Sequence, residues 1–443
     1  MGGFWMARSR GAARRIFAGA LCVGILAFAA PSQAAWSSAT LHHFTKKPDG
    51  QLPWGGLVIG KGGVLYGTAT AGGDYGYIHN STETTDGWGT IFKITPPAKG
   101  HTAWTTTIIH EFTGTYDGEY PYGSLVADRS GNLYGITTAG PKYDGSVFEL
   151  SPPKPGSYDW TLKTLHFFTG GSDGGTPYGN LIIDSSGNLY GTTYEGGEGC
   201  NGSGCGLVFK LSPPLKSGGD WHETELYAFD GGSDGGNPEG GLARDSAGVL
   251  YGLASLGGDP DAYAGTVYSL TPPPAGSNTW HFTLLHTFSG KTDGGLPNAS
   301  PILDANGVLY ATTVLGGTYF EGTVFKLTPP AVKGHAWTET VLHNFGNGSD
   351  GDVPHGALVF DSAGALFGTA YSGGAHGLGM AFKLAPPTKS QPNWVEGDLK
   401  DFAGGADGDT PDAELVFDSK GALYGTSSGS ALEDYGTVFQ LTP

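Results

Sequence analysis

One unit recurs seven times along this chain, and no other feature limits the fold so strongly. Asp-Gly-x-x-Pro begins at Asp49, Asp117, Asp173, Asp234, Asp293, Asp350 and Asp407. A tryptophan precedes each copy: Trp36, Trp104, Trp160, Trp221, Trp280, Trp337 and Trp394. A phenylalanine stands eight residues after each, as Phe168 follows Trp160. The spacing of 56 to 68 residues is maintained from residue 36 to the last residue.

Each unit reads as four short strands. In the third copy they are TLKTLHFF, GNLIID, NLYGTT and GLVFKLS. An Asp-x-x-Gly turn joins the second and third of these, as a tight hairpin requires. Proline ends the fourth, having no N–H to donate to a ladder. Leu165 and Phe168 differ in parity, as do Leu189 and Tyr190, so the strands read as apolar on both faces and must be covered on both. Seven such units predict an all-β fold, a seven-bladed β-propeller with four antiparallel strands per blade. A solenoid would need atypical ends, and both ends here match the repeat. Trp36–Phe44 is a spare strand at the start, and the last unit, ending in GTVFQLTP, lacks one. The N-terminal strand is therefore expected to close the last blade from outside. The blades are placed at about 50–112, 118–168, 174–229, 235–288, 294–345, 351–402 and 408–443 plus 36–44.

The LYGTT hairpin resembles those of NHL-type propellers, which implies that GNLIID is the innermost strand and the tryptophan strand the outermost. Gly191 and its equivalents are expected to let neighbouring blades approach closely. The whole unit, LHFFTGGSDGGTPYGNLIIDSSGNLYGTTYEGG…GLVFKLSPP, resembles the repeat of the GloVer tandem-repeat family of exported bacterial proteins, over residues 36–443. That resemblance implies the fold and export and is silent on chemistry. The family's choice of C-terminal anchors is not expected here, where the sequence reads to Pro443 in the repeat itself.

Residues 1–34 read as an export signal: Arg8, Arg10, Arg14 and Arg15, an apolar run from Ile16 to Ala30, then small residues, with cleavage after Ala34. Residues 35–443 then form the propeller. Without the signal, 19 Lys and Arg face 41 Asp and Glu, a net charge of −22. Nucleic acid and anionic lipid are poor partners for such a surface. No second long apolar run suggests membrane insertion, and a monomer facing the periplasm or the exterior is expected.

A residue identical in all seven units is expected to build the scaffold. The seven Asp-Gly aspartates read first as turn caps. The sharper alternative is an acidic ring at one channel mouth, holding calcium. Five outer-strand histidines (His42, His110, His166, His286, His343) read as polar edge residues. The informative position is one that varies in fixed surroundings, immediately after the motif proline: Trp54, Tyr122, Tyr178, Glu239, Asn298, His355 and Asp412. These should circle one mouth, aromatic on blades one to three and polar on blades four to seven. A saccharide offers both apolar C–H faces and hydroxyls, so a carbohydrate or another extracellular polymer is the expected partner. Tyr75, Tyr77 and Trp88, in the longest loop, could extend the aromatic side. Cys200 and Cys205 share one loop and are expected to form a disulfide. Asn80-Ser-Thr has the form of a glycosylation sequon.

Catalysis is the rival reading. Residues 35–443 contain only Arg129 and Arg244, too few for a sialidase-type arginine cluster, and show neither His-Glu-x-x-His nor a phosphate loop. A polysaccharide hydrolase or lyase would use Glu239, Asp412 and His355 as acid–base groups, but two carboxylates must then lie about 5–10 Å apart. Three blades separate Glu239 from Asp412, which favours a non-catalytic binding or adhesion module. A purely structural surface protein is the third reading.

Overall fold

The computed structural model describes residues 36–443, apart from 76–77, 80–82, 85–86, 141–143, 201–203, 217, 260, 333 and 430–434. The expected export signal with Cys22, the Asn80 sequon and Tyr77 lie outside the described residues. The rest forms seven four-stranded antiparallel sheets. In the third blade the order is Ile182–Ile183, Leu189–Thr193, Leu207–Ser212 and His222–Ala228, from the axis outward. Residues in or just before the first strand of every blade reach one central cavity, so the strand containing LIID is innermost.

The ring closes as the repeat count requires. Ser37–His43 pairs antiparallel with Thr437–Thr442 and is the outer strand of the last blade. Packing across the blades shows the same closure. Each outer-strand tryptophan meets an aromatic ring on the second strand of the preceding blade: Trp160 on Tyr66 at 5.8 Å, Trp221 on Tyr134 at 6.2 Å, and Trp104 on Tyr424 at 6.0 Å. Trp36 completes the circle against Phe367 at 5.8 Å. Such edge-to-face pairs contribute about 0.5–1.5 kcal/mol each beyond area burial. The following phenylalanines are buried between blades; Phe44 packs on Phe92 and Phe168 on Phe209, both at 5.1 Å. Nearer the axis, threonine hydroxyls bond carbonyls of the next blade: Thr68 to Gly123, Thr192 to Gly240, Thr369 to Ala413 and Thr426 to Gly55.

Two local expectations change. The odd parity of Leu165 and Phe168 comes from a β-bulge: Val147 pairs with His166 and Phe148 with Thr164, leaving Leu165 as the extra residue. Leu165 and Phe168 thus share one apolar cluster facing the third blade. The bulge recurs in all seven outer strands. Gly191, for its part, makes room within its own blade. A Cβ there would lie 2.6 Å from Phe209 Cζ and 2.9 Å from a Leu181 methyl, so the glycine seats the phenylalanine of the paired strand.

Candidate functional site

The site is built from the three residues that follow each motif proline. The second of the three is Gly55, Gly123, Gly179, Gly240, Ala299, Gly356 or Ala413, small because neighbouring inner segments touch there. A Cβ on Gly55 would fall 2.1 Å from the Gly123 carbonyl oxygen, and one on Gly179 2.5 Å from that of Gly240. Close backbone approach at this waist sends the flanking side chains into the channel. Residues from all seven blades then line one cavity of ≈ 480 Å³.

All seven variable residues, Trp54, Tyr122, Tyr178, Glu239, Asn298, His355 and Asp412, line that cavity. The aromatic side is continuous: ring centroids lie 5.7 Å apart for Trp54–Tyr122 and 5.1 Å for Tyr122–Tyr178. Tyr194 extends it, 5.6 Å from Tyr178. Sequence reasoning placed Tyr75 and Trp88 in that role. Neither lines the cavity: Tyr75 is exposed and Trp88 packs on Tyr120. The signal for Tyr194 was its place directly after the LYGTT strand, at the same mouth.

The polar side is a connected set. His355 Nδ1 lies 2.8 Å from Asp412 Oδ1 and 3.3 Å from Asn298 Nδ2. Burial would lower the His355 pKa, but the hydrogen bond and charge of Asp412, with the charge of Glu239, outweigh it and raise it above the ordinary value. Burial raises Glu239; the His355 charge opposes this and the Asp412 charge adds to it. Tyr122 is held far above a normal phenol by burial and then by Asp412 and Glu239. Glu239 and Asp412 therefore sense each other across the funnel, although three blades separate them in sequence.

A further tier was not anticipated. Two residues beyond the variable position stand Gly56, Ser124, Asn180, Gly241, Ser300, Ala357 and Glu414, and all of them line the cavity. Asn180 Nδ2 donates to Glu414 Oε2 at 3.0 Å, joining the third blade to the seventh across the channel. Asn180 Oδ1 accepts from the Ser124 backbone N–H at 2.7 Å, and Ser124 Oγ accepts from the Gly56 N–H at 2.8 Å. Burial raises the Glu414 pKa against the hydrogen bonds from Ser124 and Asn180. The cavity wall thus holds three carboxylates and one histidine, with no lysine or arginine among its described residues.

The repeated aspartates lie elsewhere. None lines the cavity. Each caps its own turn: Asp173 accepts from the Thr169 N–H, Asp234 from that of Asp230 and Asp293 from that of Ser289. The same holds for Asp350 with Gly346 and Asp407 with Ala403. The outer-strand histidines lie on edge strands as expected and are also the partners of these carboxylates. His42 lies 2.9 Å from Asp49, His110 3.3 Å from Asp117 and His343 3.2 Å from Asp350. His166–Asp173 and His286–Asp293 are looser, at 3.6 and 3.7 Å. Tyr227 serves Asp234 and Lys400 serves Asp407. Burial opposes charge on Asp49 and Asp117, but bonds from His42 with Thr45 and from His110 with Thr113 hold both below the usual range. Among the described residues no three His, Cys, Asp or Glu are grouped to hold a metal ion. Cys200 and Cys205 form a disulfide, with Cα atoms 5.5 Å apart. No described helix is long and apolar enough to cross a membrane.

Fold and site together define a seven-bladed propeller with one asymmetric central funnel. One solved structure agrees with the fold. A fungal alcohol oxidase of the AA5 family, in complex with copper, is 11% identical with a TM-score of 0.51, over 92% of this chain and 75% of that one. A sialidase of Trypanosoma rangeli in complex with the inhibitor DANA is 13% identical at TM-score 0.42; 92% of this chain spans 60% of that protein's length. A protein of unknown function from Dyadobacter fermentans matches at TM-score 0.44 and 11% identity, over 91% of this chain and 96% of that one. No curated protein sequence matches. The Gloeobacter/Verrucomicrobia repeat does match, over residues 74–325 and 297–443, and the chain belongs to that family.

Proposed function

We propose that this protein is an exported binding or adhesion module whose funnel takes a saccharide unit of an extracellular polymer. The observation that carries the reading is the division of one cavity into a continuous aromatic wall (Trp54, Tyr122, Tyr178, Tyr194) and a polar arc (Glu239, Asn298, His355, Asp412). Aromatic faces stack on the C–H face of a sugar ring, and the arc supplies donors and acceptors for its hydroxyls. A basic leader with an apolar run, and a disulfide, fit an oxidising compartment outside the cytoplasm. Glycan-array binding by residues 35–443 is expected, with a loss of about tenfold or more in Tyr122→Ala/Tyr178→Ala. Binding unchanged in that double variant would refute the aromatic-wall reading.

One observation favours a catalytic alternative. Glu239, His355 and Asp412 share a cavity and perturb one another. A hydrolase or lyase would use Glu239 as the proton donor and the His355–Asp412 pair as the base. Product release from a polysaccharide, abolished in Glu239→Gln with binding retained, would establish it.

A further inference from the structure

The funnel is short of positive charge. Glu239, Asp412 and Glu414 line it, and His355, bonded to Asp412, is the one group that can offset them. No lysine or arginine among its described residues contributes. The chain outside the leader carries a net charge of −22, so the surrounding field adds to the deficit. His355 faces Asp412 and Asn180 donates to Glu414, which leaves Glu239 without a cation of its own among the described cavity residues.

Beside them stands the aromatic wall. Tyr178 and Tyr194 belong to the third blade and Glu239 to the fourth, and the charge of Glu239 is felt at both phenols. An ammonium group lying between them would meet aromatic rings on one side and a carboxylate on the other, an arrangement in which cation–π attraction and ion pairing act together. A bare metal ion fits poorly, because the acids are spread around the ring and form no described cluster. An anionic sugar would add to the repulsion, and a neutral one would leave it unrelieved.

We infer that the ligand carries an ammonium group: an amino sugar with a free amine, packed against the aromatic wall at Tyr122 and Tyr178 with its nitrogen toward Glu239. This rests on the saccharide-binding reading above and specifies its ligand class. The amine takes the place that a lysine or arginine would otherwise fill, and acetylating it removes the charge while keeping the ring.

The test is calorimetric titration of the protein at pH 6 with three tetramers: β-1,4-linked glucosamine, its fully N-acetylated form, and β-1,4-linked glucose. The glucosamine tetramer is expected to bind at least tenfold more tightly than the other two, and its affinity should fall as salt is raised. Glu239→Gln, nearly isosteric, should bring the affinity of the glucosamine tetramer down to within about threefold of that of the acetylated one. Equal or tighter binding of the acetylated or glucose tetramer would overturn the charge assignment while leaving saccharide binding intact. Binding of none of the three would overturn both.

Discussion

The second residue after the outer-strand tryptophan is glutamate in three blades, Glu223, Glu339 and Glu396, and each predicts a measurable cost at high pH. Each has its Oε1 shut away from solvent without a hydrogen-bond partner. Glu396 is the extreme case. Burial, then the charges of Asp398, of Asp350 from the preceding blade and of Asp401, push its pKa from 4.5 up to about 8. The folded state therefore binds a proton that the unfolded chain has released between those values, and stability falls as pH rises through that window. Below pH 4.5 the penalty is absent; above about 8 it is complete. At about 1.4 kcal/mol per pH unit the upper bound is about 5 kcal/mol. The side chain is only partly buried, so screening should leave about 1–2 kcal/mol. Glu396→Gln imitates the protonated acid. In urea unfolding it should match the parent within about 0.5 kcal/mol at pH 4.5 and exceed it by about 1–2 kcal/mol at pH 9. An equal change at both pH values would show that packing, and not trapped charge, sets the cost.

Three other outcomes follow from the scaffold. Phe44→Ala empties a fully buried site at the closing strand and should cost about 3–5 kcal/mol by chemical denaturation, because the cavity lies where the two ends of the chain meet. Replacing both Cys200 and Cys205 by serine opens a bridge spanning a sequence separation of 5 and should cost about 2 kcal/mol, read by calorimetry under non-reducing conditions. Asp173→Ala leaves the Thr169 N–H and hydroxyl without their acceptor and should cost about 1–3 kcal/mol. Because that carboxylate is a turn cap, adding calcium or a chelator should leave the melting temperature of the parent unchanged.

The blades were legible because a repeat tests each position seven times. Trp, Asp-Gly-x-x-Pro and the Asp-x-x-Gly turn return at fixed offsets, so blade number and the closing role of Trp36–Phe44 followed from counting, whereas the radial order of the strands rested on the resemblance to NHL-type propellers. Contacts between units were harder to see. The parity of Leu165 against Phe168 looked like two apolar faces; the bulge at Leu165 puts both on one, and alternation alone does not reveal an extra residue. Likewise the histidine seven residues before each Asp-Gly aspartate, present in five of seven copies, already marked a pair. Read along a strand, it looked like an edge residue, whereas the loop folds back to place the carboxylate beside it.

The funnel was legible where variation stood out against constancy. Trp54 to Asp412 differ among themselves while the proline before each stays fixed, and the structure brings all seven to one cavity. The same logic, applied two residues further along, would have found Glu414. Its position is otherwise glycine, alanine, serine or asparagine, and a single carboxylate among small residues is as informative as Glu239 among aromatics. It was passed over because an inner-strand residue is read by default as packing. In a propeller, the inner strand has a third environment besides the two blade faces: the channel. Glu414 lines that channel, largely buried, and is bonded across it to Asn180, so its charge bears on any ligand that descends below the mouth. Glu414→Gln should therefore change the affinity for a charged ligand while leaving that for a neutral one of the same shape unaltered, and titration of both against the two proteins measures that difference.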